Sequence, residues 1–204
     1  GTTAAPVSPA LAAVVDVGAE KQPRPYDEYL AAAIADIDAW WTTEYPRLYG
    51  QPYQPLAGGI YAGYPERSST IPGCGAGPTT TYEELANSGA FYCPIGDFMA
   101  YDDGADGILY DLATQFGPAV IATVMAHEWG HAIQSRLGAF DRDYETVITE
   151  QQADCMAGAW SRRAWDGHVP GLTFNDDDIR SGLIAMAVVA DAPGASVFEP
   201  GGHG

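Results

Sequence analysis

The run His127-Glu128-Trp129-Gly130-His131 constrains this chain more than any other stretch, because its chemistry requires a helix. Four residues are about 400° of rotation and about 6 Å of rise, so both imidazoles leave one face, a turn apart. Two ring nitrogens at that spacing can bind one tetrahedral zinc with bonds of about 2.0–2.1 Å. Glu128, one step round the helix, can take a proton from a water activated by the metal, as in metal-assisted peptide hydrolysis. Chance supplies the pattern in about one chain in 270 of this length and composition. Gly130 strengthens the case: glycine inside a helix costs about 1 kcal/mol relative to alanine and makes sense where a neighbouring element must approach the metal closely. The helix is expected from Ala119 to Leu137. Gly117-Pro118 separates it from a short helix over 107–116, and Gly138 stops it.

A catalytic zinc shell has three protein donors and a water, so a further donor is required. Glu150 lies 19 residues beyond His131, on a helix expected over 144–163, and Asp154 follows it one turn on. The intervening loop can turn the chain back, so that Glu150 completes the shell while Asp154 accepts the far ring N–H of a ligand histidine. Glu145, Asp141 and His168 are alternatives. Neither Glu145 nor His168 has a carboxylate one turn on, and Asp141 falls in the loop, where the spacing to Glu145 fixes no common face.

Charge removes other function classes. Twenty-seven acidic against nine basic side chains give a net charge of -18, with Lys21 the sole lysine. Such a chain repels nucleic-acid backbones and anionic membranes, because binding either depends on Lys and Arg neutralising phosphate. No apolar run near the start exceeds Leu11–Val15, far short of the ~18 residues of a spanning helix. The 47% hydrophobic content suffices for one buried core over 204 residues. Cys74 and Cys93 stand near Gly and Pro in loop-like surroundings, and Cys155 in a helical run. Bridging the first two and leaving Cys155 as a small buried hydrophobe is the most economical arrangement, and it points to an extracellular or cell-envelope setting.

Residues 1–25 show no sustained period and are expected to be an N-terminal tail or linker, with the domain proper over 26–204. Leu30, Ile34, Ile37 and Trp41 then place one apolar stripe on a helix from Tyr26 to Tyr45, ending before Pro46. Residues 48–89 are dense in Gly, Pro, Ser and Thr, with short strands expected at pieces such as Ile60-Tyr61-Ala62, and the bridge would pin this region. Residues 91–94 and 97–102 are strand material. The acidic run 102–107 lacks the bidentate Glu of a calcium loop and is expected to be a turn. A last helix is expected over 178–190, capped by Asn175 and the acids after it.

Together these residues carry a resemblance. His127-Glu128-Trp129-Gly130-His131-Ala132-Ile133-Gln134, followed by Glu150-Gln151-Gln152-Ala153-Asp154-Cys155-Met156-Ala157-Gly158, is similar to the bacterial putative neutral zinc metallopeptidase family, of gluzincin type. Cys74-Gly75, Phe91-Tyr92-Cys93-Pro94, Ile179 to Asp191 and Pro200-Gly201-Gly202-His203-Gly204 resemble it too, so the likeness runs from about residue 26 to the end. It implies His127, His131 and Glu150 as zinc ligands, Glu128 as catalytic carboxylate and Asp154 as the partner of a ligand. Gln151 departs from the family's usual Leu. The family also continues with a further helical segment beyond Gly204, so truncation at the C-terminus is expected.

The expected fold is α+β: a mostly helical zincin-like metallopeptidase domain with a small upstream β region whose edge could pair with an extended peptide. The expected function is peptide-bond hydrolysis with one zinc, a peptide or protein substrate, and no nucleic-acid or membrane contact by the domain itself. His168 and His203 are the candidates for oxyanion donor. The rival readings are a non-peptidase zinc hydrolase, amidase-like, and a non-catalytic zinc-stabilised binding module, which would have no need of Glu128.

Overall fold

Ser8 starts the first element by accepting a hydrogen bond from the Leu11 amide (3.1 Å), with Pro9 preset for the first helical turn. The structure is a computed structural model and describes residues 7–75, 77–142 and 146–189, with side chains to 184. Helix α1 (Pro9–Val14) buries Leu11 completely and leads into Val15, which is 4% exposed. The backbone of Asp16 pairs with the strand at Tyr61, and Lys21 is buried between Asp27 (2.9 Å) and Asp103 (2.8 Å). Residues 7–25 therefore belong to the packed domain, which corrects the expectation of a tail or linker. A six-residue helix is too short to show a period, so its burial left no pattern to read.

Helix α2 (Asp27–Tyr49) buries Leu30, Ile34, Ile37 and Trp41 as their spacing requires. It runs one turn further than expected, through Pro46 to a left-handed cap at Gly50 (φ 70°). Proline there withholds a donor only from the carbonyl of Thr42, which sits on the exposed face and can bond water.

Strands β1 (Gly59–Gly63), β2 (Ile71–Pro72) and β3 (Thr79–Thr80) follow. Helix α3 (Tyr82–Ser88) was not anticipated in this Gly/Pro-rich stretch, although Thr81 and Glu84 form a reciprocal capping box that fixes its start. Strands β4 (Ala90–Cys93) and β5 (Phe98–Asp102) complete a three-stranded sheet of order β1-β5-β4. The central β5 is buried along its whole length, parallel to β1 (Gly59 opposite Phe98) and antiparallel to β4 (Ala90 opposite Tyr101). β2 and β3 form a separate antiparallel pair.

Cys74 and Cys93 are disulfide-bonded, tying the loop between β2 and β3 to the end of β4. Closing 19 residues of chain contributes about 3 kcal/mol. Replacing both cysteines by alanine is expected to lower stability by roughly that amount in denaturant melts. The acidic run 102–107 is a turn, but an anchored one: Asp103 is fully buried, bonded to Lys21 and Tyr26, with its carbonyl held by Arg24.

Helix α4 (Ile108–Phe116) precedes α5 (Ala119–Arg136), in which every residue from Ala119 to Gly130 is buried. This helix is the centre of the molecule, with α2, α4, β4 and the two later helices packed around it. A 3-10 turn (Ala139–Asp141) leads towards α6 (Thr146–Trp165), which buries Thr149, Ala153, Ala157, Trp160 and Ala164. Cys155 stands about 200° round the helix from Ala153 and Ala157. It is accordingly a free, exposed thiol and not the buried hydrophobe expected. Helix α7 (Asp176–Val189) closes the described chain, and Asn175 Oδ1 caps it by accepting from the Asp177 and Asp178 amides. The architecture is α+β and mostly helical, as the sequence suggests. No helix among the described residues is long and apolar enough to cross a membrane.

Candidate metal centre

Helix α5 sets His127 and His131 one turn apart, their rings 4.6 Å between centroids and nearly perpendicular. Helix α6 lies directly against it. A Cβ on Gly130 would stand 2.7 Å from Cα and 3.0 Å from Cβ of Ala153, so the glycine is what lets the two backbones meet. That approach carries Glu150 to the histidines: its Oε2 is 3.1 Å from His127 Nε2 and 3.4 Å from His131 Nε2. The donor atoms of all three residues lie within 4.8 Å of one another. Tetrahedral zinc with bonds of 2.0–2.1 Å needs donors about 3.3 Å apart, so the measured carboxylate-to-imidazole spacings fit such an ion.

The far nitrogens are also engaged. His127 Nδ1 is 2.9 Å from Asp154 Oδ1, and His131 Nδ1 is 2.9 Å from Gln134 Oε1. Each ring thus presents Nε2 to the common point while Nδ1 is occupied elsewhere, the pattern that orients metal-binding histidines. Glu128 is 7% exposed on α5 beside them. Among the alternatives, Asp141 is exposed in the 3-10 turn. His168 lies past the end of α6, which extends about 22 Å beyond Glu150 at 1.5 Å per residue. Glu145, His203 and the closing 200–204 segment lie outside the described residues. Sequence reasoning gave Gln134 no role, although its i+3 position from His131 was a usable signal.

Burial opposes charge on His127, but hydrogen bonds to Asp154 and Glu150 outweigh it and hold the imidazole up at about 10. His131 is raised for similar reasons, with Glu150 and Glu128 overcoming burial. Against burial, the two histidines hold Glu150 down at about 2. For the histidine, the resulting stability is full below its ordinary value of 6.5 and fades as pH rises towards 10. For the glutamate, it is full above 4.5 and is lost as pH falls towards 2. Protons and a metal compete for the same His127 lone pair, so metal binding at pH 7 is expected to expel at least about one proton. Apparent affinity should then rise about tenfold per pH unit per proton released. Calorimetry in buffers of different ionisation enthalpy measures the proton count.

A second expectation concerns Gly130→Ala. Alanine favours a helix by about 1 kcal/mol, yet here its methyl would wedge α5 from α6 at an overpacking cost of about 1–3 kcal/mol. The variant should melt lower and bind zinc more weakly. A thermal midpoint above wild type would contradict the close contact.

The family model described as putative neutral zinc metallopeptidase matches residues 3–194. The chain belongs to that family. The uncharacterized protein Rv2575 of Mycobacterium tuberculosis is 35% identical over 173 residues, covering 76% of this chain and 52% of that protein. The uncharacterized protein YpfJ of Escherichia coli K12 is 30% identical over 187 residues, covering 80% and 56%. The chain therefore spans about half the length of these relatives. No solved structure matches it. Zinc is the metal the family name implies, and two imidazoles with one carboxylate form a donor set suited to it.

Proposed function

We propose that this domain hydrolyses peptide bonds, with His127, His131 and Glu150 holding one zinc ion, Glu128 acting as general base and Asp154 orienting His127. The observation that carries the reading is the convergence of three donor atoms from α5 and α6, with the Glu150 oxygen at tetrahedral spacing from both imidazole nitrogens and Glu128 next to the first of them. A bound zinc would supply Lewis acidity and lower the pKa of water towards 7. Glu128 takes the proton of the attacking water and returns it to the departing amine. Asp154 accepts the Nδ1 proton of His127 and so keeps Nε2 free to coordinate. An extended substrate would lie along β4, an edge of the sheet that packs against α5. The disulfide favours an oxidising setting outside the cytoplasm, in the cell envelope or beyond it.

The test is a digest of a mixed peptide library by the zinc-loaded domain, with a chelator-treated sample and small amide substrates alongside. Internal cleavage that chelation abolishes supports the reading. Hydrolysis of small amides alone moves the assignment to an amidase-like enzyme, and zinc binding without turnover moves it to a zinc-stabilised module.

A further inference from the structure

Gln134 sits in the last part of α5 with only 1% of its surface exposed, and it is bonded at both ends. Its Nε2 is 2.5 Å from the carbonyl oxygen of Thr149 and 3.3 Å from Gln152 Oε1. A backbone carbonyl can only accept, so the end of the amide facing Thr149 must be the donating NH2 group. The other end is then the oxygen, and it lies 2.9 Å from His131 Nδ1. An amide oxygen can only accept as well, which requires the proton of that imidazole to be on Nδ1. In the neutral ring, the form that binds a metal, the lone pair is then on Nε2, the nitrogen that faces Glu150.

We propose that Gln134 is a positioning residue of the metal site: anchored by the Thr149 carbonyl, it locks His131 in the Nδ1–H tautomer with Nε2 presented to zinc. The proposal rests on the zinc reading above. The same side chain joins α5 to the residue immediately before Glu150, so the donors of the two helices are registered through one buried amide. The two histidines are held by unlike means. His127 relies on Asp154, whose side chain is 51% exposed and charged, whereas His131 relies on a neutral group sealed from water. Solvent reaches the accepting side chain of the first arrangement more readily than that of the second, because Asp154 is half exposed and Gln134 is buried.

The test compares wild type, Gln134→Leu and Gln134→Glu in the full chain. Zinc affinity is read by competition with a chromogenic chelator, the visible spectrum is recorded with cobalt in place of zinc, and thermal midpoints are measured in chelator. Gln134→Leu removes the acceptor and is expected to weaken zinc by about 10- to 100-fold and to change the cobalt spectrum. Gln134→Glu keeps an acceptor for Nδ1 but, when ionised, cannot donate to Thr149. It should stay within a few-fold of wild type in zinc affinity while sharing the lowered midpoint of the leucine variant. Zinc affinity and cobalt spectrum unchanged in Gln134→Leu, with only the midpoint lowered, would show a purely structural residue and overturn the proposal.

Should Gln134→Leu not fold, imidazole nitrogen shifts of the zinc-loaded wild type decide. A proton on Nδ1 of His131 supports the lock, and a proton on Nε2 overturns it. Wild type that takes up no zinc at all would instead overturn the underlying zinc reading and this inference with it.

Discussion

Glu128→Gln is expected to keep its zinc while turnover on a peptide substrate falls by about 10² to 10⁴, the worth of general acid–base help. Glu128 is one residue, about 100°, round α5 from His127. It is close enough to raise both histidines, yet it is absent from the triad whose donor atoms converge. Glutamine matches its shape but cannot accept a proton, so the substitution isolates the base function from packing in this buried position. Zinc content and steady-state rates of wild type and variant, measured on the same preparations, provide the check. Loss of the metal in Glu128→Gln would make Glu128 a ligand and require the pairing of α5 and α6 to be assigned afresh.

Glu150→Ala should have the opposite signature, with the metal lost first. Zinc sites release about 10–16 kcal/mol on binding; shared among four donors this is about 3 kcal/mol each, or on the order of a hundredfold in affinity. The carboxylate also supplies the only negative charge among the three donors, and its loss leaves two imidazoles facing each other with their mutual repulsion unrelieved. Asp154→Ala touches only the far nitrogen of His127 and should cost about 10- to 100-fold without emptying the site at high zinc. Chelator competition ranks the two variants. Equal zinc affinity in Glu150→Ala and wild type would remove Glu150 from the site.

The central geometry was legible because it is local. A four-residue interval on a helix places His127 beside His131, and the same interval places Asp154 below Glu150, so only the meeting of two helices had to be inferred. Gly130 advertised even that meeting, since glycine inside a buried helix is costly unless something approaches it, and Ala153 does. The stripe on α2 and the bridge between Cys74 and Cys93 were legible for similar reasons.

What escaped depended on partners far away in sequence. Lys21 gains its meaning from Asp103, 82 residues on, and a chain with one lysine gives no pattern from which to read that pairing. The helix at Tyr82–Ser88 announces itself through Thr81 and Glu84, but that signal is drowned by the turn residues around it. Cys155 was misplaced because a helical run was identified without deciding which of its faces would be covered. Gln134 needed the Thr149 carbonyl to define its orientation, and a backbone group leaves no trace in a side-chain pattern.

The proposed place of the metal, between His127, His131 and Glu150, is tested most directly by removing its central donor. Wild-type protein and His131→Ala, loaded with zinc and dialysed together, should be assayed by elemental analysis. About one zinc per wild-type chain and little or none in the variant is the predicted result, since a site with three protein donors loses a ligand at its centre. Full zinc retained by His131→Ala would contradict the account.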